Sequence, residues 1–312
     1  MSIKKLGNRL LQMLIVLIGI SFLTFLLTYM SPGDPVRNMF LSTGIQPTEA
    51  QIEEAREAMG FNDPFFVRYG RWIGGCLHGD FGESYSLDKP VGELLMARLW
   101  PTLQLTIASL VIMIIVSVPL GILSAVYRNK VIDYIVRFIT FFGVSLPNFW
   151  VGLMLILFFC VQLRMFNVVA SSGSFQDLIL PAVTLAIAMS AKYTRQVRTA
   201  VLEELGSDYV VGLRARGVPE WKILWFNVLP NSFLPLITML GISIGSLLGG
   251  TSVVEVVFSY PGLGNLAVNA IMSSDYYLIQ GYVLWVSVIY MIVNLVVDIS
   301  YNYIDPRIRI RR

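Results

Sequence analysis

Residues 208–230 read DYVVGLRARGVPEWKILWFNVLP. Arg214, Arg216 and Lys222 stand there with Asp208 and Glu220, among two Trp and two Pro. This compact charged segment interrupts a chain that is 55% hydrophobic and only 14% charged, where a soluble domain carries about a quarter charged residues. The charge is clumped. Five windows are free of it: Leu10–Gly33, Leu99–Tyr127, Phe138–Leu163, Ile223–Val254 and Tyr276–Val297. Each exceeds the roughly 20 apolar residues a helix needs to cross the hydrocarbon core. A sixth, Leu178–Ala191, stops at Lys192. Lys192, Arg195 and Arg198 can snorkel from a helix end, which extends that window to a full crossing. The pattern predicts an all-α integral membrane protein with six transmembrane helices.

Orientation follows from Lys and Arg. With the N-terminus inside, the inner segments hold Lys4, Lys5, Arg9, Arg128, Lys130, Arg137, Lys192, Arg195, Arg198, Arg214, Arg216, Lys222, Arg307, Arg309, Arg311 and Arg312. Most basic residues outside that set lie in one long outer loop, and long loops translocate largely regardless of charge. Both termini are therefore expected in the cytoplasm. The net charge of +3 reflects topology and gives no nucleic-acid signal. The chain divides into an N-terminal anchor helix (1–30), an outer loop or lid with a short helix (31–98), a five-helix core (99–304) containing the segment 203–230, and a basic tail (305–312). The N-terminal run is too long for a signal peptide and lacks an A-x-A site, so it is expected to be retained.

The outer loop is not low complexity. Thr48 precedes EAQIEEAREAM, a capped helix that Gly60 closes. The aromatic, Gly-rich stretch 61–82 is either a packing cap or a lid on the membrane surface. Pro147 within SLPNFW (145–150) predicts a kink in the third span. Gly241, Gly245 and Gly249 form a small-xxx-small ridge that lets another helix approach, within the chain or from a second transmembrane subunit. Glu255 lies near the outer end of the fifth span, where a solvated position is expected. Pro261-Gly262 marks a turn.

Several chemistries lack their residues. There is no G-x-x-x-x-G-K-[ST] loop for nucleotide phosphates. His78 is the single histidine and reads as a surface residue. One His with the distant Cys76 and Cys160 makes no closed metal site. The cysteines are expected to be unpaired. No catalytic residues and no metal ligands are predicted, and neither is a bound cofactor. Energy must come from a partner, or passage must be passive.

On this topology 208–230 faces the cytoplasm. Asp208 is an N-cap candidate for YVVGLRAR. Gly217 is placed to end that helix in a left-handed conformation, and Pro219 suits the first turn of EWKILWFNVL. Tyr209, Val210, Leu213, Trp221 and Leu224 are apolar for a free loop and call for a groove in a partner or for the lipid surface.

These residues resemble the cytoplasmic loop of inner-membrane permease subunits of ABC importers, in the class that transports peptides and nickel. That loop has the form E-A-A-x3-G-x9-I-x-L-P. Gly217, Leu229 and Pro230 fall at its spacing, while Val211, Gly212, Leu213 and Asn227 depart from it. In this class the segment is closer to DYV-x-x-A-R-A-x-G, which Asp208, Tyr209, Val210, Arg214, Ala215, Arg216 and Gly217 match, while Leu213 replaces its first Ala. Further matches run along the chain: SPGDP at 31–35, GDFGESY at 79–85, SLPNFW at 145–150, YPGLG at 260–264 and DPRIR at 305–309. DYYLIQG at 275–281 departs, with Tyr277 in a Pro slot.

The resemblance implies a type I ABC importer permease fold in the cytoplasmic (inner) membrane. It implies that Asp208, Tyr209, Arg214, Ala215, Arg216, Gly217, Leu229 and Pro230 form a coupling helix region that docks on an ATPase. Pro147, Gly241, Gly245 and Gly249 would serve the pore and helix packing. Glu255, Tyr260, Pro261, Gly262 and Asp275 would lie in an outer loop facing a substrate-binding protein. The implied partners are a second homologous permease, two cytoplasmic ATPase subunits carrying ATP and Mg²⁺, the binding protein and the lipid membrane. The implied cargo is nickel, as ion or chelate, or di- and oligopeptides, with the third and fifth spans closer to the nickel subtype. Rival readings are a passive channel or facilitator and a membrane-anchored receptor or assembly protein.

Overall fold

The computed structural model describes residues 3–31, 34–42, 46–170 and 174–304. The DPRIR motif, the tail 305–312 and part of SPGDP lie outside the described residues. Among the described residues the regular structure is helical but for one hairpin of two two-residue strands, and the chain forms two compact units.

One unit comprises residues 1–102 and 261–292. α1 (Ile3–Met30) leads it. Only 11% of its apolar window is buried in the chain, so its remaining sides suit lipid. α4 (Phe65–Leu77) lies against its C-terminal half. Phe25 of α1 meets Phe65, Tyr69 and Trp72 with ring centroids 5.5–5.7 Å apart, and Ser21 Oγ lies 2.9 Å from Tyr69 Oη. The sequence predicts one short helix before residue 98. The structure has three there, α2 (Pro35–Ser42), α3 (Glu49–Ala58) and α4, because the aromatic stretch finds a buried partner in α1. Thr48 caps α3 through a capping box with Gln51, and Gly60 ends the segment at φ +67°, as the spacing predicts. β1 (Glu83–Ser84) and β2 (Lys89–Pro90) pair antiparallel. α13 (Leu263–Met272) and the first half of α14 (Tyr276–Ile304) complete the unit. Val91 and Leu95, which open α5 (Val91–Val126), pack with Leu263, Leu266 and Leu278.

The other unit comprises residues 103–260 and 293–312. Its centre is α8 (Phe175–Leu205), 31 residues long. Glycines bring helices onto α8. A Cβ at Gly121 would stand 2.5 Å from Val197 Cβ, and one at Gly143 would stand 2.8 Å from Ala191 Cβ, so both positions require the missing side chain. α6 (Val131–Ser145) and α7 (Asn148–Leu155, continued as π-helix to Gln162) are bent by 99° at Pro147. This is sharper than the expected kink. The residue before a proline is driven to extended backbone, and Leu146 sits at ψ 131°. α6 therefore ends and a new helix starts.

α9 (Asp208–Ala215) and α10 (Glu220–Ile223) follow α8. α10 runs through a π segment at Leu224–Val228 into α11 (Leu229–Gly250). Pro230 cannot donate to the carbonyl four residues back, and the helix widens just there. α12 (Ser252–Val257) ends the unbroken stretch.

Among the described residues four helices are long and apolar enough to cross a membrane: Gly7–Met30, Val91–Val126, Phe175–Leu205 and Tyr276–Val297. The bent α6–α7 pair passes the same test when its two halves are taken together, as a broken span or a re-entrant loop. These correspond to five of the six windows. α11, in the remaining window, has 22 residues, but several of its side chains, Gly249 among them, lie outside the described residues.

Candidate functional site

The 203–230 segment is a rigid hairpin on the end of α8. Ser207 occupies the N-cap of α9, and Asp208 stands one residue inside, in the first turn. The carboxylate there still favours the helix N-terminus, but it is not the cap that the sequence predicts. At the other end Gly217 has φ +78°. Gly217 N donates to Arg214 O at 2.9 Å and Val218 N to Leu213 O at 3.2 Å. This pair of bonds is a Schellman motif. Pro219 then caps α10 instead of entering its first turn.

Arg214 locks the two helices together. Its Nε donates to Glu220 Oε1 at 2.6 Å and its Nη2 to Glu220 Oε2 at 3.1 Å. The Arg214 guanidinium holds the Glu220 carboxyl below its ordinary range. Tyr209 Oη donates to Glu204 Oε2 at 2.6 Å and accepts from Asn231 Nδ2 at 3.3 Å. Burial, then the bond to Glu204, raises its pKa.

The apolar residues divide in two. Val210 is fully buried with Val201, Ile223, Val228 and Leu229, and Leu213 and Leu224 pack on the same cluster. These three need no partner's groove, because the chain's own core takes them. Val211, Trp221, Trp225 and Phe226 are exposed, and Ala215, Arg216, Gly217 and Pro230 share that exposure. The hairpin thus presents an apolar and basic face on a base that cannot rotate freely.

A buried charge node lies in the same unit. Asp133, in the first turn of α6, is fully buried. It accepts from Arg198 Nε at 2.8 Å, Arg198 Nη2 at 2.9 Å, Ser124 Oγ at 2.6 Å and Asn129 N at 2.9 Å. Arg137 Nε stands 3.5 Å away. Arg198 is therefore a bidentate partner of a buried carboxylate and does not snorkel to the lipid surface. Sequence reasoning missed Asp133. The available signal was a lone acid in an otherwise basic segment between two uncharged windows.

The outer candidates are more buried than expected. Glu255 is fully buried, where the sequence predicts a solvated side chain. The reason is the short α12, which folds it inward beside Val254 and Phe258. Tyr260 is also buried, and its N–H donates to Glu255 O at 2.7 Å. The turn lies just before the expected Pro261-Gly262 pair, at Phe258–Ser259, and Gly262, in extended backbone, is the N-cap of α13.

Asp275 is fully buried as well. It accepts from Ser84 Oγ at 2.6 Å, Ser86 Oγ at 2.7 Å, Ser86 N at 3.1 Å and Leu278 N at 3.2 Å. Tyr85 Oη donates to Ser274 O and accepts from Tyr276 N, both at 2.5 Å. Asp275 thus pins the GDFGESY segment to the start of α14 from inside the unit and is not an exposed contact. Gly241 packs within the chain too, since a Cβ there would stand 2.4 Å from Val297 Cγ1. Gly245 is buried.

Residues 117–310 match the family described as the binding-protein-dependent transport system inner membrane component, and residues 2–106 match the companion N-terminal family. The chain belongs to this family. The permease is 36% identical to the probable D,D-dipeptide transport system permease protein DdpB of Escherichia coli strain K12, covering 97% of this chain and 96% of that one. It is 39% identical to the oligopeptide transport system permease protein AppB of Bacillus subtilis, covering 96% and 98%. It is 36% identical to the nickel import system permease protein NikB of Staphylococcus aureus, covering 99% and 93%. A chain from inward-facing structures of the MetNI methionine ABC transporter shares the fold, with a TM-score of 0.57 at 19% identity over 68% of this chain and 96% of that one.

The permease is thus a multi-pass membrane protein with the type I importer fold. Its relatives do not favour nickel over peptides, since the oligopeptide permease is the more identical of the two. Among the described residues no group of three or more His, Cys, Asp or Glu is placed to hold a metal ion.

Proposed function

We propose that this permease forms half of the translocation path of an ATP-driven ABC importer, with a second homologous permease as the other half. Both termini are cytoplasmic, following the Lys and Arg distribution, and α11 is the sixth crossing. Two cytoplasmic ATPase subunits bind ATP and Mg²⁺, and this chain binds no cofactor and catalyses no reaction. A substrate-binding protein delivers the cargo from outside. That cargo is a short peptide or a chelated metal, in keeping with the names of the relatives.

The observation that carries this reading is the hairpin 208–230. Asp208, Tyr209, Arg214, Ala215, Arg216, Gly217, Leu229 and Pro230 form a stiff lever whose inner side is welded to the core and whose outer side is bare. A short helix seated in a partner's groove passes motion between subunits as a rigid body. Pro147, Gly241 and Gly245 shape the packing that such motion works on, and Gly249 continues the same glycine spacing in the sequence. Glu255, Tyr260, Pro261, Gly262 and Asp275 belong to the extracytoplasmic loop region that serves the binding protein.

The test is transport in proteoliposomes that hold the two permeases, with and without the ATPase pair. Uptake of binding-protein-delivered cargo requires ATP and the ATPases. Equal flux with the permeases alone would make the chain a passive facilitator and contradict the proposal.

A further inference from the structure

Within the second unit, α8 is enclosed on three sides. α6 meets it at Ala191 and Arg198, through Gly143 and the Asp133 fork. α5 meets it at Thr194 and Val197, through Gly121. α11 meets it at Tyr193, whose Oη donates to Leu236 O, and at Ala200, whose carbonyl accepts from Ser232 Oγ at 3.4 Å. At about 100° per residue, these contacts leave one sector of the helix open, opposite α5 and between α6 and α11. Ala188, Lys192, Arg195, Thr199 and Glu203 share that sector. All but the half-buried Ala188 are exposed.

This open side does not suit lipid. Among the four candidate spans of the described residues α8 is the most enclosed, with 50% of its apolar window buried, yet the side it leaves bare carries two cations. Lys192 and Arg195 lie roughly 20 and 15 Å from its last residue, Leu205, at about 1.5 Å per residue. They therefore do not stand at a helix end, from which long side chains snorkel to the interface. Basic residues within a span face a bundle interior or a water-filled cavity.

The two charges are also uncompensated. Among the described residues neither side chain has an ion-pair partner, whereas Arg198 on the same helix holds Asp133. The flanking helices supply none. α11 has no charged residue, and the one acid of α6 is Asp133, already engaged by Arg198 with Arg137 nearby. Glu203, the acid on the open side itself, stands roughly 12 Å beyond Arg195 along the axis.

We propose that the open side of α8 lines the translocation path, and that Lys192 and Arg195 make this stretch of it favour solutes with a carboxylate or other anionic group over bare cations. The inference rests on the reading of the chain as half of a path, and it narrows the cargo. A short peptide presents its C-terminal carboxylate here, and a metal held in an anionic chelate presents its ligand oxygens. A free divalent cation meets two like charges with no acid beside them, in a confined space where such fields are strong.

The experiment reads the charge of the path with small thiol reagents. Thr199→Cys is placed in a chain whose Cys76 and Cys160 are serine. The complete importer, with both permeases and both ATPases, is reconstituted in phosphatidylcholine nanodiscs. Sulfonatoethyl and trimethylammonioethyl methanethiosulfonate are compared by mass spectrometry of this chain, each rate divided by the rate of the same reagent with 2-mercaptoethanol. The anionic reagent is expected to be favoured at least about fivefold. Lys192→Gln with Arg195→Gln brings the ratio near one, and Lys192→Arg with Arg195→Lys, which keeps both charges, retains the preference. Silence of Thr199→Cys toward both reagents would put this side against lipid or a protein surface and overturn the inference. A ratio near one, or one that the double glutamine variant leaves unchanged, overturns it too. If that variant does not assemble, an unchanged ratio in Arg195→Gln alone overturns it. Failure of the coupling reading looks different: uptake then needs no ATPase, while the reagent ratio stays as predicted.

Discussion

Gly217→Pro abolishes uptake while the protein still inserts into the membrane. Gly217 sits at φ +78°, and proline is confined to about −65°. The substitution also removes the N–H that donates to Arg214 O at 2.9 Å. The turn between α9 and α10 must then open, and the Arg214–Glu220 fork that depends on it is lost. A graded series separates backbone from bulk. A Cβ at this position meets nothing within 4 Å, so Gly217→Ala pays only the left-handed backbone cost, about 1–2 kcal/mol. Alanine should therefore reduce uptake partially and proline eliminate it. Uptake in membrane vesicles, normalised to the amount of inserted protein, reads the difference. Full transport by Gly217→Pro would show that the hairpin's shape does not matter to coupling.

Asp133→Ala and Arg198→Ala each destabilise the permease by about 3–5 kcal/mol, the usual cost of removing one partner of a buried pair. Asp133 is fully buried and carries four hydrogen bonds from Arg198, Ser124 and Asn129. Asp133→Ala takes the carboxylate away from Arg198, and Arg198→Ala leaves the buried Asp133 with only Ser124, Asn129 and the more distant Arg137. The double substitution should cost much less than the sum, because it removes both charges. Thermal melts of the purified permease in detergent measure all three. Strictly additive losses would mean that the two residues act separately and that the fork is incidental.

Much of this was legible in advance, for physical reasons that can be traced to particular residues. The long uncharged windows are read directly, because hydrocarbon tolerates few charges and demands full helical pairing. Gly217 and Thr48 were legible because each solves a local problem, a left-handed cap and a capping box, that needs no tertiary context. Asp133 and Arg198 were not. They lie 65 residues apart, and only the packing of α6 on α8 through Gly143 and Ala191 brings them together. Asp275 and Glu255 stand at element ends, where sequence expects water. Their burial depends on GDFGESY folding over α14 in one case and on the short α12 in the other. Pro147 announced a disturbance, but its size, 99°, is set by what the neighbours allow. Val210 and Leu213 looked like contacts for a partner because pattern alone cannot tell a foreign groove from the chain's own core.

The central claim is that the bare face of the hairpin lies on the cytoplasmic side. Sidedness of labelling at Arg216→Cys tests it most directly, in a chain whose Cys76 and Cys160 are replaced by serine. A membrane-impermeant maleimide should modify this cysteine in inverted vesicles and leave it untouched in intact cells. Labelling in intact cells, with inverted vesicles protected, would put residues 208–230 outside and contradict the account.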